Sequence, residues 1–172
     1  MAASSDVFRE VMATLAMPVT VIGTVDQAGT RHGATLGSLA SLSLDPPLVM
    51  FALARGTSVH RPTCENPRFC ISILAAGQDE TAARFTGAPA ERFASGIITL
   101  DALPAVEAAL GWLVCARHRL VEAGDHTLVI GLVERAARNP AQGNGPLLYH
   151  GRRYHTVADA RRPNLLDGLA LR

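Results

Sequence analysis

The segment GATLGSLASLSLDPP (33–47) carries residue types suited to holding a flat, polar ligand. It combines two glycines with three serines, so one strand presents little side-chain bulk. Small residues let another molecule lie against the backbone, where N–H groups and hydroxyls can bind a polar ring edge or a phosphate. The same composition would also suit a strand that faces a crowded barrel interior, and the sequence leaves both interpretations open.

The segment RGTSVH (55–60) has the chemistry of an anion site. It follows a predicted strand and opens a predicted helix, so the hydroxyls of Thr57 and Ser58 lie beside unpaired backbone N–H groups. An ordinary helix N-cap would use the same residues. Two anion-compatible segments in succession favour a ligand that bears a phosphate.

The six histidines do not form a metal-binding pattern. The spacings HxH and HExxH are absent, and strand alternation sets His118 opposite Arg117 and Arg119, so no metal site is predicted. His126 differs because it follows the turn Gly124-Asp125. It would stand at the mouth of a barrel, and a solvated turn histidine is the other interpretation.

No set of side chains predicts chemistry carried by the protein's own groups. The GxSxG motif is absent, the chain contains no lysine, and neither an activated cysteine nor a pair of carboxylates is evident. A reaction carried by a cofactor is compatible with this sequence.

A helix and at least six strands must position these residues. Apolar positions from Val7 to Leu15 share one helical face, with Ser4 or Ser5 as N-cap and Pro18 as the stop. β-Branched and alternating runs predict the strands 19–26, 32–44, 48–54, 68–76, about 111–123, 126–137 and 146–157. Short helices are expected at 57–66, at 77–87 and, as helix or loop, at 91–97.

The turns and the order of these elements indicate the architecture. Gly29 and the pair Gly124-Asp125 mark turns between strands, and a break in the last strand is expected at Gly151. The apolar run 48–54 is expected to be buried on both faces. The pattern predicts a mainly β protein with short helices, most simply a closed antiparallel barrel. A β-sandwich is the alternative, and the scarcity of long helices disfavours a doubly wound parallel sheet.

Length and charge exclude several classes of protein. The 172 residues fit one domain, and 16 basic residues against 15 acidic residues give a net charge of +1. This balance excludes nucleic acid as the main partner. Apolar stretches end well short of the ~20 residues that a membrane span needs. The low charged fraction of 18% and the mean hydropathy of +0.19 predict a homodimer that buries apolar surface.

The cysteines and the N-terminus indicate a cytoplasmic location. The three cysteines lack metal-type spacing, and the acidic, amphipathic N-terminus is unlike a signal peptide. Free, buried thiols are expected, although a disulfide between Cys64 and Cys70 is left open by the sequence.

Several segments, in order, carry a family resemblance. They are FREVMATLAMPVTVI, HGATLGSLASLSLDPPLVMFAL, ENPRFCISIL, AARFTG, AGDHTLVIGLVE and PLLYHGRRYH. The chain resembles the short-chain flavin reductases of the FMN-binding split-barrel type, which serve as reductase components of two-component flavin monooxygenases. The resemblance implies a homodimeric, antiparallel, Greek-key-like split barrel over residues 1–157, with a C-terminal extension over 158–172. The chain departs from the family at Gly37, often Ser or Thr there, and at Ser72, frequently Asn.

The resemblance also implies residue roles. Contacts to the flavin ring would come from Thr35, Leu36, Gly37, Ser38 and Leu39, largely through backbone groups, and from Ala52, Leu53 and Ala54. Contacts to the phosphate would come from Ser41, Thr57 and Ser58, and Arg84 and Phe85 would flank the ribityl or adenine end. His126, as the catalytic residue, and the segment Tyr149, His150, Gly151 and Arg152 would receive the nicotinamide nucleotide.

The implied activity is hydride transfer from C4 of NADH or NADPH to N5 of FMN or FAD. Reduced flavin would then leave for a separate monooxygenase. Two alternatives remain open at this point. One is a flavin-binding carrier or sensor without turnover. The other is a flavin oxidase of the pyridoxamine-phosphate type, for which Arg152 and Arg153 could bind a phosphorylated substrate.

Overall fold

The computed structural model describes residues 3–143 and 145–157. Within these residues, β-strands dominate and the helices are short. The strands are β1 Met17–Pro18, β2 Thr20–Val25, β3 Arg31–Leu36, β4 Ala40–Leu44, β5 Pro47–Ala54, β6 Arg68–Ile73, β7 Ile97–Leu100, β8 Leu103–Val106, β9 Gly111–Ala123, β10 His126–Arg138, β11 Leu147–His150 and β12 Arg153–Thr156. The α-helices are α1 Ser5–Met12, α2 His60–Glu65 and α3 Asp79–Thr86, and a 3-10 helix spans Pro89–Glu91.

A seven-stranded antiparallel sheet forms the body of the protein, in the order β3-β2-β6-β9-β10-β5-β4. Its edge strands β3 and β4 follow one another in the chain and are joined only by residues 37–39. Three linking residues span at most about 14 Å, whereas seven flat strands would be about 29 Å wide. The sheet therefore curls until its edges meet, and it forms a barrel that is not hydrogen-bonded along the β3–β4 seam.

Two smaller sheets complete the fold. The strand order β1-β11-β12 sets Met17 opposite Tyr149, and Tyr149 opposite Tyr154. The hairpin β7–β8 packs on β2 and β6. At that contact Gly23 has no room for a side chain, because a Cβ there would clash with the carbonyl oxygen of Pro104.

The barrel interior is apolar and closely packed. Ile22, Phe51, Phe69 and Val129 are fully buried, and the rings of Phe51 and Phe69 meet edge to face at 5.3 Å. Such interdigitated packing fixes the positions of the strands that carry the site.

Several strand predictions are confirmed. The long hairpin runs as β9 and β10 around Gly124-Asp125, and the last strand breaks at Gly151, where φ is 56°. Gly29 has a positive φ of 82° in the first turn. Ser4 is the N-cap of α1, since its hydroxyl accepts a hydrogen bond from the Val7 amide at 3.4 Å.

Other local predictions are wrong. The segment 32–44 forms two strands, and the chain turns at 37–39. The segment 48–54 is buried on one face only, because Val49, Phe51 and Leu53 point inward between partly exposed neighbours. Helix α1 ends at Met12, well before Pro18. The hairpin β7–β8 was not predicted, and the predicted extension 158–172 lies outside the described residues.

The α-helices in the described ranges contain six to eight residues. None of these helices has the length and apolar character needed to cross a membrane.

Candidate functional site

Two adjoining cavities open along the seam where β3 ends. We call the first, of about 340 Å³, the strand compartment; its lining includes Gly37, Ser38, Ala52, Leu53, Ala54, Thr57 and His126. We call the second, of about 480 Å³, the tyrosine compartment; its lining includes Thr86, Tyr149, Arg152 and Tyr154. Met17, Thr35, Leu36 and Gly37 line both cavities. Volumes of this size are typical of small-molecule sites.

Strand pairing brings His126 to the strand compartment. His126 begins β10 directly opposite Ala54, the last residue of β5. Directly opposite residues in an antiparallel pair point to the same face. The inward residues of β5 are the buried Val49, Phe51 and Leu53, so Ala54 and His126 lie on the other face.

The hydroxyl groups around the strand compartment are already hydrogen-bonded to the protein. Ser38 Oγ accepts from the Ala52 amide at 3.0 Å and lies 3.3 Å from the Ala52 carbonyl oxygen. Thr35 Oγ1 donates to the Ala82 carbonyl and Thr57 Oγ1 to the Ala54 carbonyl. These side chains therefore fix the walls of the compartment, and the polar groups left for a ligand are mainly those of the backbone.

The loop 37–39 offers such backbone groups. Within the described part of the chain, the N–H groups of Gly37, Ser38 and Leu39 make no hydrogen bond to another backbone carbonyl. Gly37 is only partly buried, and it carries no side chain that would cover these groups. The loop can thus donate to a polar ring edge, which is one of the two interpretations that the glycine- and serine-rich composition left open.

Arg92 is a cation beside the strand compartment that the sequence analysis missed. Its Nη1 donates to the Gly33 carbonyl at 2.8 Å and to Ser58 Oγ at 3.0 Å, and its Nε and Nη2 donate to the Gly87 carbonyl. No carboxylate among the described residues forms an ion pair with it. An arginine held by neutral acceptors keeps its full charge for an anion.

His126 is oriented by its neighbour in the turn. Its Nδ1 lies 2.7 Å from Asp125 Oδ1, and this contact is the main cause that lowers the pKa of Asp125. A carboxylate can only accept, so Nδ1 carries a proton. In the neutral ring, Nε2 is then the acceptor nitrogen.

The tyrosine compartment has an aromatic floor. Tyr149 on β11 lies opposite Tyr154 on β12, and their ring centroids are 5.4 Å apart. On the other side of β11, Tyr149 lies opposite Met17 on β1. Burial is the main cause that raises the pKa of Tyr154. Arg152 stands in the β11–β12 turn with a φ of 63°. Tyrosine rings and a guanidinium are surfaces on which a planar heterocycle stacks.

The structure does not bring every predicted residue to these cavities. Phe85 is only 1% exposed and packs edge to face on Phe93 in the core. Arg84 turns to Ser95, donating to its hydroxyl and to its carbonyl.

Other predicted residues stand beside the cavities or away from them. Leu39 packs against the barrel core, and Ser41 is exposed on β4. Ser58 meets Arg92 just outside the strand compartment. His150 is exposed and its ring packs on that of His155, and Gly151 occupies the turn. Ser72, a departure from the family pattern, is buried and accepts from the Val106 amide.

A family model described as "Flavin reductase like domain" matches residues 12–158. The chain belongs to the flavin reductase family. This confirms the resemblance, and the mainly β fold predicted with it is that of the solved flavin reductases.

Curated flavin reductases are similar in sequence to this protein over most of its length. An NADH:riboflavin 5'-phosphate oxidoreductase of Streptomyces pristinaespiralis is 43% identical over 153 residues, which are 87% of this chain and 86% of that protein. An NADH-dependent flavin reductase of Pseudomonas fluorescens is 34% identical, over 88% of this chain and 89% of that protein.

A solved flavin reductase has the same fold. An NADH:FAD oxidoreductase of Streptomyces globisporus, in complex with NAD and FAD fragments, superimposes with a TM-score of 0.85. It is 31% identical and covers 92% of this chain and 96% of its own.

Proposed function

We propose that this protein is an NADH-dependent flavin reductase that supplies reduced FMN or FAD to a separate monooxygenase. The observation that carries the proposal is the strand compartment, a cleft of about 340 Å³ in which Gly37, Ser38, Ala52 and Ala54 give part of the wall little side-chain bulk. It suits a planar ring system, and the family membership agrees with it. Flavin, when bound, accepts a hydride at N5 from the nicotinamide.

The flavin ring would be held by the loop 37–39 and by Ala52, Leu53 and Ala54. The backbone N–H groups of the loop can donate to a ring edge on which negative charge develops, as donors do in an oxyanion hole. Thr35 and Leu36 complete this wall, and Ser38 keeps the loop in place through its bond to β5. No side-chain acid or base is required of the wall, because its contribution is orientation.

The flavin phosphate would bind near Thr57, Ser58 and Arg92. Arg92 brings an uncompensated positive charge to Ser58 Oγ at 3.0 Å, and Thr57 lines the strand compartment. Four of the five guanidinium N–H groups are engaged by the protein, so Arg92 would offer the phosphate its positive charge and the one remaining N–H group of Nη2.

The nicotinamide nucleotide would approach from His126 and the β11–β12 turn. Nε2 of His126 can accept from the nicotinamide amide group, since Nδ1 is engaged by Asp125 at 2.7 Å. Tyr149 and Arg152 would receive the rest of the nucleotide. Reduced flavin can leave because both cavities open at the surface seam.

Turnover of NADH with FMN, FAD and riboflavin tests this function, and Arg92→Ala tests the phosphate contact. Loss of a charge-assisted hydrogen bond should raise the KM for FMN about tenfold or more, while riboflavin, which lacks the phosphate, should be turned over as before. Arg61→Ala is the matched control, because Arg61 pairs with Glu65 on α2.

Two outcomes would contradict the reductase function, and a third would contradict the phosphate contact alone. Bound flavin without NADH consumption would indicate a carrier. Consumption of an amine without NADH would indicate an oxidase. An unchanged KM for FMN in Arg92→Ala would remove Arg92 from the phosphate site while leaving the reductase activity intact.

We further propose a homodimer and a cytoplasmic location. Helix α1 has no buried residue, and its apolar side chains are exposed: Val7, Phe8 and Val11 are each more than half exposed. An eight-residue helix is unstable without packing, so a second copy of the chain would cover its apolar face. Three free cysteines support a reducing compartment.

A further inference from the structure

A third cavity continues the cleft beyond the tyrosine compartment. We call this cavity, of about 380 Å³, the helix compartment; it is lined by Gly77, Asp79, Leu147, Tyr154, His155 and Thr156. Tyr154 lines the tyrosine compartment as well, so the two cavities adjoin at this residue. The helix compartment shares no lining residue with the strand compartment in the described part of the chain. The three compartments therefore follow one another, with the tyrosine compartment in the middle.

Helix α3 runs along the middle and the last of these compartments. Its last residue, Thr86, lines the tyrosine compartment, and its first residue, Asp79, lines the helix compartment. Seven steps along an α-helix separate these residues by about 10 Å. A ligand that extends from the tyrosine compartment along α3, away from the strand compartment, therefore reaches Asp79.

The turn before α3 holds Asp79 in a fixed position. The Gln78 side chain accepts a hydrogen bond from the Ala75 amide at 2.9 Å and donates to the Glu107 carbonyl at 2.9 Å. Ala75 also forms a bridge with Pro146, beside the start of β11. The backbone that carries Asp79 is thus attached to the sheet on which the two tyrosines stand.

The Asp79 carboxylate is available to a ligand. It forms no ion pair within residues 3–143 and 145–157. Burial is the main cause that raises the pKa of Tyr154, and the charges of Tyr149 and Asp79 raise it further. Glu80 adds a second negative charge in the same helical turn. Two carboxylates outweigh the positive end of the helix dipole, which corresponds to roughly half a charge.

The cations of β12 do not compensate this charge. Successive side chains in a strand point to opposite faces, so Arg153 and His155 lie on the face opposite Tyr154 and Thr156. His155 Nε2 lies 3.1 Å from the His150 carbonyl oxygen, and its ring packs on that of His150. The charged residue of the tyrosine compartment is Arg152. The row thus offers a cation in its middle and an anion at its end.

We propose that the adenosine half of the nicotinamide dinucleotide occupies the helix compartment, where Asp79 selects NADH over NADPH. This inference rests on the proposed reductase function and deepens it. The nicotinamide ring must meet the flavin, so the pyrophosphate would lie at Arg152 and the adenosine beyond Tyr154. A carboxylate accepts hydrogen bonds from the ribose hydroxyls of NADH. The 2′-phosphate of NADPH would instead bring like charge against Asp79, which disfavours its binding.

The experiment compares kcat/KM for NADH, NADPH and reduced nicotinamide mononucleotide in wild type, Asp79→Asn and Glu80→Gln. FMN is held at a saturating concentration, and the ionic strength is low because salt screens exposed charges. In Asp79→Asn we expect the NADH-to-NADPH ratio of kcat/KM to fall about tenfold. The change should arise in KM and not in kcat, because Asp79 does not touch the reacting atoms.

Two controls identify the cause of that change. Reduced nicotinamide mononucleotide lacks the adenosine half, so Asp79→Asn should use it as efficiently as wild type does. Glu80→Gln removes the same charge from the same helical turn, but Glu80 does not line the helix compartment. We therefore expect it to change the NADH-to-NADPH ratio far less than Asp79→Asn does.

The outcomes separate this inference from the function on which it rests. An unchanged ratio in Asp79→Asn, an equal change in Glu80→Gln, or a loss of efficiency with the mononucleotide would each overturn the role of Asp79 and leave the reductase function standing. A wild-type protein that uses NADPH as efficiently as NADH would do the same. A wild-type protein that oxidises neither dinucleotide with any flavin would overturn both.

Discussion

The three cysteine side chains differ in how far solvent can reach them. Cys70 and Cys115 are fully buried, and burial raises the pKa of each thiol to about 12. Cys64 is half-buried on α2, and burial raises its pKa as well. All three are free, so the disulfide between Cys64 and Cys70 that the sequence left open is not formed.

Alkylation should therefore separate Cys64 from the other two. Only the thiolate reacts, and a thiol with a pKa of about 12 is almost entirely protonated at pH 8. We expect iodoacetamide to add slowly to one thiol of the native protein and to all three in denaturant, as counted by mass spectrometry. Rapid labelling of two thiols in the native protein would show that the barrel opens locally.

Residue types predicted part of the candidate site, because small and hydroxylated residues cluster within two short segments. Gly37, Ser38 and Thr57 do line the cleft. Arg92 could not be found in this way, because it lies 34 residues beyond Ser58 in a loop without a motif. Met17 has an apolar side chain, and only the pairing of β1 with β11 shows that it faces a cavity.

Among the elements, the hairpin β7–β8 is attached to the barrel by a buried hydrogen bond. The Val106 amide donates to Ser72 Oγ at 2.9 Å, and Ser72 is 1% exposed. Gly23 lets the same hairpin approach β2 closely. Ser72, which stands where the family frequently has Asn, thus anchors the hairpin β7–β8 on strand β6 in this chain.

Removal of the Ser72 hydroxyl should destabilise the fold. Ser72→Ala leaves the Val106 N–H buried without its partner, which costs about 1–3 kcal/mol of the free energy of unfolding. Chemical denaturation measures the loss, and Ser41→Ala on the exposed strand β4 is the control, expected to change little. Equal stability of the two variants would mean that water replaces the hydroxyl.

Elements with strong turn signals were predictable, and those without such signals were not. Gly124 marks the β9–β10 hairpin because its φ is positive, which glycine adopts readily. The β7–β8 turn also has two residues with positive φ, but neither is glycine: φ is 49° at Asp101 and 68° at Ala102. Alanine is rare in that conformation, so the sequence gives no sign of the hairpin.

At the scale of the whole molecule, helix α1 leaves its apolar face exposed in a single chain. Phe8 is 59% exposed and Val11 is 61% exposed, on a helix that has no buried residue. Exposed patches of this kind are typical of subunit interfaces.

A charge introduced on the apolar face of α1 should separate the subunits of the proposed dimer. We expect wild type to sediment at twice the mass of one chain, and Phe8→Glu to shift toward the monomer at micromolar concentration, because a buried carboxylate without a partner is costly. Glu10→Gln, on the polar side of α1, is the control. A monomeric wild type would contradict the dimer, and it would leave the cleft described here unaffected.

The barrel was predictable from the number and spacing of strands, but its strand order was not. β2 pairs with β6, β6 with β9 and β5 with β10, and each pairing joins distant parts of the chain. Hydrophobic alternation defines which face of a strand is inward. It carries no information about which strands become neighbours.

One consequence follows from the three-residue link between the outermost strands. Residues 37–39 draw the curled sheet together, and two of them, Gly37 and Ser38, also border the cleft. A lengthened link would let the seam spread and the pocket widen in the same movement. The closure of the barrel and the width of the ligand pocket therefore depend on the same short stretch of chain.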